Sequence, residues 1–226
     1  MTNRSSITKE EIAKGYDDIA EIVGVGGTFY DDCLSVQKQF SGTVLDVGCG
    51  RGLLLQKIAE RATLGTKLYG IDISPKLCDL ARQNNPGADI LVGDAEALPY
   101  PDHFFDTVCM TEVFEHMTDF HKPLAEARRV LKPSGTFIIS VPNRDWASYD
   151  FYDQRRNHEF QPVDDHYFRF EEITGLLKDH GFHIQTYKGL DNLYYYGWKH
   201  KVEEFVAFFL PFLHKKMKRL VFKTTV

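Results

Sequence analysis

The stretch TEVFEHM, Thr111 to Met117, carries two carboxylates and an imidazole, at Glu112, Glu115 and His116. On a helical turn these positions are i, i+3 and i+4 and share one face. Paired carboxylates suit Mg²⁺, which takes oxygen ligands and keeps waters. One imidazole in the set would also admit Mn²⁺ or Zn²⁺. A single turn cannot close a cage, and the later stretch DDHYF supplies His166 as a further candidate ligand. The same residues have a metal-free reading. A histidine with an unperturbed pKa near about 6.5 suits general-base work, which makes His116 and His166 the candidate catalytic bases. A third reading gives these side chains a structural role only.

A second constellation lies upstream. In LDVGCGRG, Leu45 to Gly52, glycines stand at every second position, Gly48, Gly50 and Gly52. Glycines let the backbone turn tightly and let a ligand approach without Cβ atoms in the way, and a following helix offers free N–H groups. A dinucleotide loop would read GxGxxG, whereas this one reads GxGxG. Asp46 precedes the glycines and is placed for an ammonium rather than a pyrophosphate. Asp72 closes the next apolar run, where a carboxylate can accept from both hydroxyls of a ribose. Asp94 follows the third run, as a partner for an exocyclic adenine amine or as a helix N-cap.

These residues need elements to hold them. TVLDVG (43–48), KLYGIDI (67–73), ADILVGD (88–94), FDTVCMT (105–111) and TFIISVPN (136–143) read as strands, and helical patterns separate them at 53–62, 74–84 and 123–131. The middle helix opens with Ser74 as N-cap and Pro75 at the first helical position. Strands alternating with helices predict a mostly parallel sheet with helices on both faces, which binds ligands beyond the strand C-termini where strand order reverses. KPSG closes the third of these helices. A further helix is expected at 169–181, a strand at 182–190, an apolar helix at about 199–217 and a last strand at 219–226.

Taken in order, VLDVGCGRG, YGIDIS, GDAEALP, FDTVCMTEVFEHM and LKPSGTFIISVPN resemble the motifs of class I S-adenosylmethionine-dependent methyltransferases, in the branch of quinone-pathway and other small-molecule O-methyltransferases. The resemblance implies a Rossmann-like α/β fold, a seven-stranded sheet whose last strand is antiparallel, and S-adenosylmethionine as cofactor with S-adenosylhomocysteine as product. It implies that Gly48, Gly50, Asp72 and Asp94 bind that cofactor, with Asp46 near its amino-acid end. Cys49, Ile73, Ala95 and Thr111 join the cofactor set as their neighbours. An N-terminal helix is expected to bring Tyr16 over the methionine moiety. ExxEH followed by DHxF is similar to the pattern of metal-dependent O-methyltransferases acting on vicinal hydroxyls. That similarity implies a Mg²⁺ site of Glu112, Glu115, His116 and His166.

At 226 residues the chain suits one domain, with a cofactor core over 43–143 and a lid-like insertion at 144–168. A net charge of −5 gives no overall attraction to nucleic acid. The expected acceptor is a small molecule bearing a hydroxyl, lipid-like or a vicinal diol. An RNA 2′-O-methyltransferase and a cofactor-binding partner protein without its own catalysis are the alternatives. The four cysteines form no CxxC pair, which suits reduced thiols in a cytoplasm. The stretch 198–220 is apolar with a basic end. It reads as a core helix, as a helix contacting a membrane surface, or as a dimer face or wall for an apolar substrate, so a monomer and a homodimer are both open.

Overall fold

The computed structural model describes residues 7–22, 28–145, 162–163, 165–190 and 219–226. Its sheet is built from β1 (Thr43–Val47), β2 (Lys67–Asp72), β3 (Asp89–Val92), β4 (Phe105–Met110), β5 (Leu131–Pro142), β6 (His183–Leu190) and β7 (Arg219–Thr225). The spatial order is β3-β2-β1-β4-β5-β7-β6. From β1 the chain moves outward through β2 to β3, then crosses back to lay β4 on the other side of β1. These pairings are parallel, as is β4 with β5, whereas β7 runs antiparallel between β5 and β6. The architecture is the one that the sequence motifs implied. The reversal of strand order beside β1 opens a crevice beyond the strand C-termini.

Side-chain alternation along the strands builds two cores. Leu45, Val47, Val108 and Met110 face one side, under α5 (His121–Val130) and α6 (Phe170–Asp179). Val44, Cys109 and Ile138 face the other, under α2 (Phe29–Cys33) and α3 (Leu53–Ala59). By the same period of two, Asp46 shares the face of Val44. Local chemistry fixes the helices that flank the crevice. The N-terminal helix α1 (Lys9–Ile19) starts with a capping box between Thr8 and Glu11. In α4 (Pro75–Asn84), Ser74 accepts the Leu77 N–H and Pro75 occupies the first turn.

Some boundaries differ from the sequence expectation. The helix expected over 53–62 ends at Ala59. KPSG loops out within β5 instead of ending before it, because Phe105 pairs with Leu131 while Thr107 pairs with Thr136. The short helix α2 had no clear period to announce it. The apolar helix expected at 199–217 lies outside the described residues, and of the insertion at 144–168 only 144–145, 162–163 and 165–168 are described. Among the described residues, no helix is long and apolar enough to cross a membrane.

Two glycines of the loop after β1 do different work. Gly52 (φ +76°) precedes α3, and a Cβ there would stand 2.2 Å from Asn85 Nδ2. That amide is buried and donates to the carbonyls of Gly52 and Ala81, so Gly52 is the close contact between α3 and α4. Gly50 has similar backbone (φ +51°), but a Cβ there would meet no atom within 4 Å. Gly52→Ala is therefore expected to cost about 2–4 kcal/mol, from left-handed strain plus displaced buried hydrogen bonds. Gly50→Ala should cost only the strain, about 1–2 kcal/mol. Denaturant unfolding of both variants checks this, and equal losses would contradict it.

Candidate functional site

A cavity of about 300 Å³ lies beyond the C-terminal ends of the central strands. This is the lower end of the range for small-molecule sites. One end is formed by the loops after β1, β2 and β3. The N–H groups of Gly48 and Cys49 donate to the Ile71 carbonyl at 2.8 and 3.0 Å, which pins the glycine loop to the end of β2. Asp72 ties the loops further: its Oδ2 accepts the Gly50 N–H at 2.8 Å and its Oδ1 accepts the Ser74 N–H at 2.9 Å. Burial raises the pKa of Asp72, and those N–H groups, with that of Ile73, pull it back down. Asp94 accepts the Glu96 N–H at 2.9 Å and lies 3.4 Å from the Lys9 ammonium.

Lys9 comes from α1, which covers the cavity. Asp17 fastens the helix by accepting from the Ser74 hydroxyl and from the Lys76 N–H, both at the start of α4. Tyr16 thereby reaches the cavity, its ring edge-on to His116 with centroids 6.1 Å apart. The Tyr16 hydroxyl is buried and has no hydrogen-bond partner among the described residues. Burial, followed by the charges of Glu115, Asp72 and Asp165, raises its pKa well above the usual phenol value.

The other end belongs to the loop after β4. Glu112 adopts left-handed backbone, φ +58°, an uncommon conformation for a residue with a side chain. Its N–H donates to Ser140 Oγ at 3.2 Å, and that hydroxyl donates back to Glu112 Oε1 at 3.2 Å. A short 3-10 turn, Phe114–His116, follows. The guanidinium of Arg219 bridges the two acids, 2.5 Å from Glu112 Oε2 and 3.1 Å from Glu115 Oε1. Burial raises the Glu112 pKa to about 8 against the opposing pull of Arg219. His116 Nδ1 lies 3.2 Å from Asp165 Oδ1. Both side chains are at least nine-tenths buried, at 10% and 7% exposure.

Residues 45–139 match the family model described as a methyltransferase domain. Over these residues the chain is similar to methyltransferase domains. The chain is 34% identical over 127 residues to a ubiquinone biosynthesis O-methyltransferase of Bartonella tribocorum, covering 54% of this chain and 50% of that one. It is 32% identical over 149 residues to a demethylmenaquinone methyltransferase of Chlorobaculum tepidum, covering 62% and 61%. The chain thus spans about half to three fifths of the length of these curated relatives. Among solved structures, one from a complex of the Haloferax volcanii Trm112 methyltransferase activator with a methyltransferase superposes with a TM-score of 0.68. It is 20% identical and covers 95% of this chain and 96% of that one.

The residues expected to bind the cofactor, Tyr16 of α1 among them, line this one cavity, with one exception. Asp46 does not line it. Strand alternation turns its carboxyl into the α2–α3 side of the sheet, in register with Cys109, and burial followed by repulsion from Asp72 raises its pKa well above the ordinary 3.8. Gly52 does not line the cavity either and serves helix packing. The four residues implied for Mg²⁺ do not assemble into one ligand set. Glu112 and Glu115 face Arg219, and His116 faces Asp165. His166 pairs with Glu172 at 2.7 Å and packs between Phe120 and Phe168, away from the cavity lining. Among the described residues, no group of three or more His, Cys, Asp or Glu side chains is arranged to hold a metal ion. Arg219, Asp165 and Lys9 were absent from the sequence-derived site. Asp165 stands inside DDHYF and was open to notice, but Arg219 is 104 residues from Glu115 with no local pattern to join them.

Asp46 gives a pH test. Its folded pKa is raised, so its contribution to stability is fully present below its ordinary pKa and is lost as pH rises through the folded value. Asp46→Asn is therefore expected to gain on the wild type as pH increases. At about pH 8 it should melt at least ~2–4 °C higher relative to wild type than at about pH 4, the shift that about 1 kcal/mol produces in a domain of this size. Thermal melts across that range decide it, and a difference independent of pH would contradict the assignment.

Proposed function

We propose that this chain transfers the methyl group of S-adenosylmethionine to a hydroxyl of a small molecule, with His116 as general base. The observation that carries this reading is the joining, in one covered cavity, of an end that fits the methyl donor with an end that offers acid–base chemistry. Three features of the donor end fit the cofactor. Gly50 leaves open space for close approach, Asp72 presents a buried carboxylate to a ribose, and Asp94 stands beside Ala95 for the adenine. When bound, S-adenosylmethionine supplies a methyl already activated by its sulfonium.

The protein's task is then to align the acceptor oxygen with that methyl and to remove its proton. His116 suits the second part. Its Nδ1 stands 3.2 Å from the Asp165 carboxylate, a charge-pair distance without hydrogen-bond alignment. A ring nitrogen with a free lone pair accepts the hydroxyl proton, and the nearby carboxylate stabilises the resulting imidazolium by charge. Burial excludes water, which lets these charges act strongly. The α1 helix, fastened through Asp17 and Lys9, covers the donor end and brings Tyr16 against His116. The relatives named for quinone biosynthesis favour a small aromatic acceptor.

Isothermal titration should show S-adenosylhomocysteine binding, and Asp72→Ala should weaken it at least ~10-fold, the loss of one charged hydrogen bond. With labelled S-adenosylmethionine and a panel of phenols, catechols, aliphatic alcohols and amines, turnover is expected on hydroxyls. His116→Ala should lower kcat by ~10²–10⁴-fold while leaving S-adenosylhomocysteine binding intact. Absence of S-adenosylhomocysteine binding would sink the reading. Turnover of amines alone would move the methylated atom to nitrogen.

A further inference from the structure

We propose that Arg219 is the built-in cation of the acceptor end: its guanidinium occupies the place between Glu112 and Glu115 that a divalent metal would need, and it contacts the acceptor oxygen in a metal's stead. This rests on the methyltransferase reading above and extends it to how the acceptor is held.

Four observations support it. First, Glu112 and Glu115 each place one carboxylate oxygen on a terminal nitrogen of Arg219, at 2.5 and 3.1 Å, so one guanidinium bridges the two acids. Second, Arg219 lines the cavity, and its remaining nitrogen, Nε, is buried without a hydrogen-bond partner among the described residues. A buried donor left unmade is costly, and an oxygen of a bound acceptor would satisfy it. Third, the guanidinium is held rigidly. Arg219 opens β7 in register with Pro142 on one side and Leu190 on the other, and its Cζ lies 5.8 Å from the centre of the Phe29 ring. Fourth, the two histidines a metal would also need are engaged elsewhere, His116 with Asp165 and His166 with Glu172.

Electrostatics make the two occupants exclusive. A dication between the same carboxylates would stand within about 4 Å of the guanidinium, where like charges repel by several kcal/mol even at an effective dielectric of about 20. The consequences also differ. A guanidinium stays charged at any pH a protein experiences, and it stabilises a developing alkoxide or phenolate through N–H donation rather than by direct coordination. An acceptor bound this way needs one oxygen near Arg219 and does not need two vicinal hydroxyls to chelate an ion.

Mn²⁺ titration of the full chain, loaded with S-adenosylhomocysteine and followed by electron paramagnetic resonance, tests the proposal without knowledge of the acceptor. Wild type should leave Mn²⁺ free up to millimolar concentration. Arg219→Gln releases both carboxylates, and it should gain one saturable Mn²⁺ site per chain that is lost again in Arg219→Gln/Glu112→Gln. S-adenosylhomocysteine affinity, expected within about threefold of wild type in all variants, reports folding and the donor end separately. If that binding fails in wild type, the methyltransferase reading falls. Stoichiometric Mn²⁺ binding by wild type, lost in Glu112→Gln, would overturn the proposal whatever the variants do. A folded Arg219→Gln protein that binds no Mn²⁺ would overturn it as well.

Discussion

The site depends on the reversal of strand order at β1. Because β2 and β4 flank the same strand and the connections leave it in opposite directions, the loops after β1 and β4 diverge and leave space between them. Asp72 then determines the shape of one side of that space. By accepting N–H groups from Gly50 and Ser74, its carboxylate fixes the two loops against each other before any ligand arrives. Those N–H groups also compensate part of the cost of burying a charge. A donor-binding surface built this way is preorganised, since its ordering cost is met on folding and not on binding.

The opposite side is organised by charge. Three carboxylates, Glu112, Glu115 and Asp165, line the cavity there together with one guanidinium and one imidazole. Such a cluster is tolerable in a buried place only when each charge finds a partner. The partners come from far along the chain: Arg219 from the start of β7, and Asp165 from the segment that docks through the hydrogen bond between the His166 N–H and the Glu115 carbonyl. The left-handed backbone at Glu112 belongs to the same arrangement. It turns the chain sharply after β4, and the N–H of the turned residue is met by Ser140 on the neighbouring strand.

The sheet and the donor end were legible in the sequence because their signals are local. Short apolar runs ending in glycine or aspartate, Ser74–Pro75 at a helix start and the GxGxG loop each report their own conformation within a few residues. Asp46 shows the limit of such reading. Its place beside the glycines suggested a ligand contact, but the alternation of the strand decided which way it faces, and that follows from the packing of the whole sheet. The acid–base end was half legible. TEVFEHM announced buried ionisable chemistry, yet the same residues serve a metal or a guanidinium equally well in composition. What separates the two is a long-range strand pairing that leaves no trace near either residue.

The position of β7 carries a consequence for the making of the protein. β6 joins the sheet through β7, which is inserted antiparallel between it and β5. On a ribosome, β6 therefore emerges before the strand that will hold it, and β5 presents an open edge until β7 arrives. The two glutamates after β4 meanwhile lack their counter-charge, so burying them early is unfavourable. Synthesis order thus delays closure of the acid–base end until the seventh strand is in place, while the donor end, complete by β4, is free to form first.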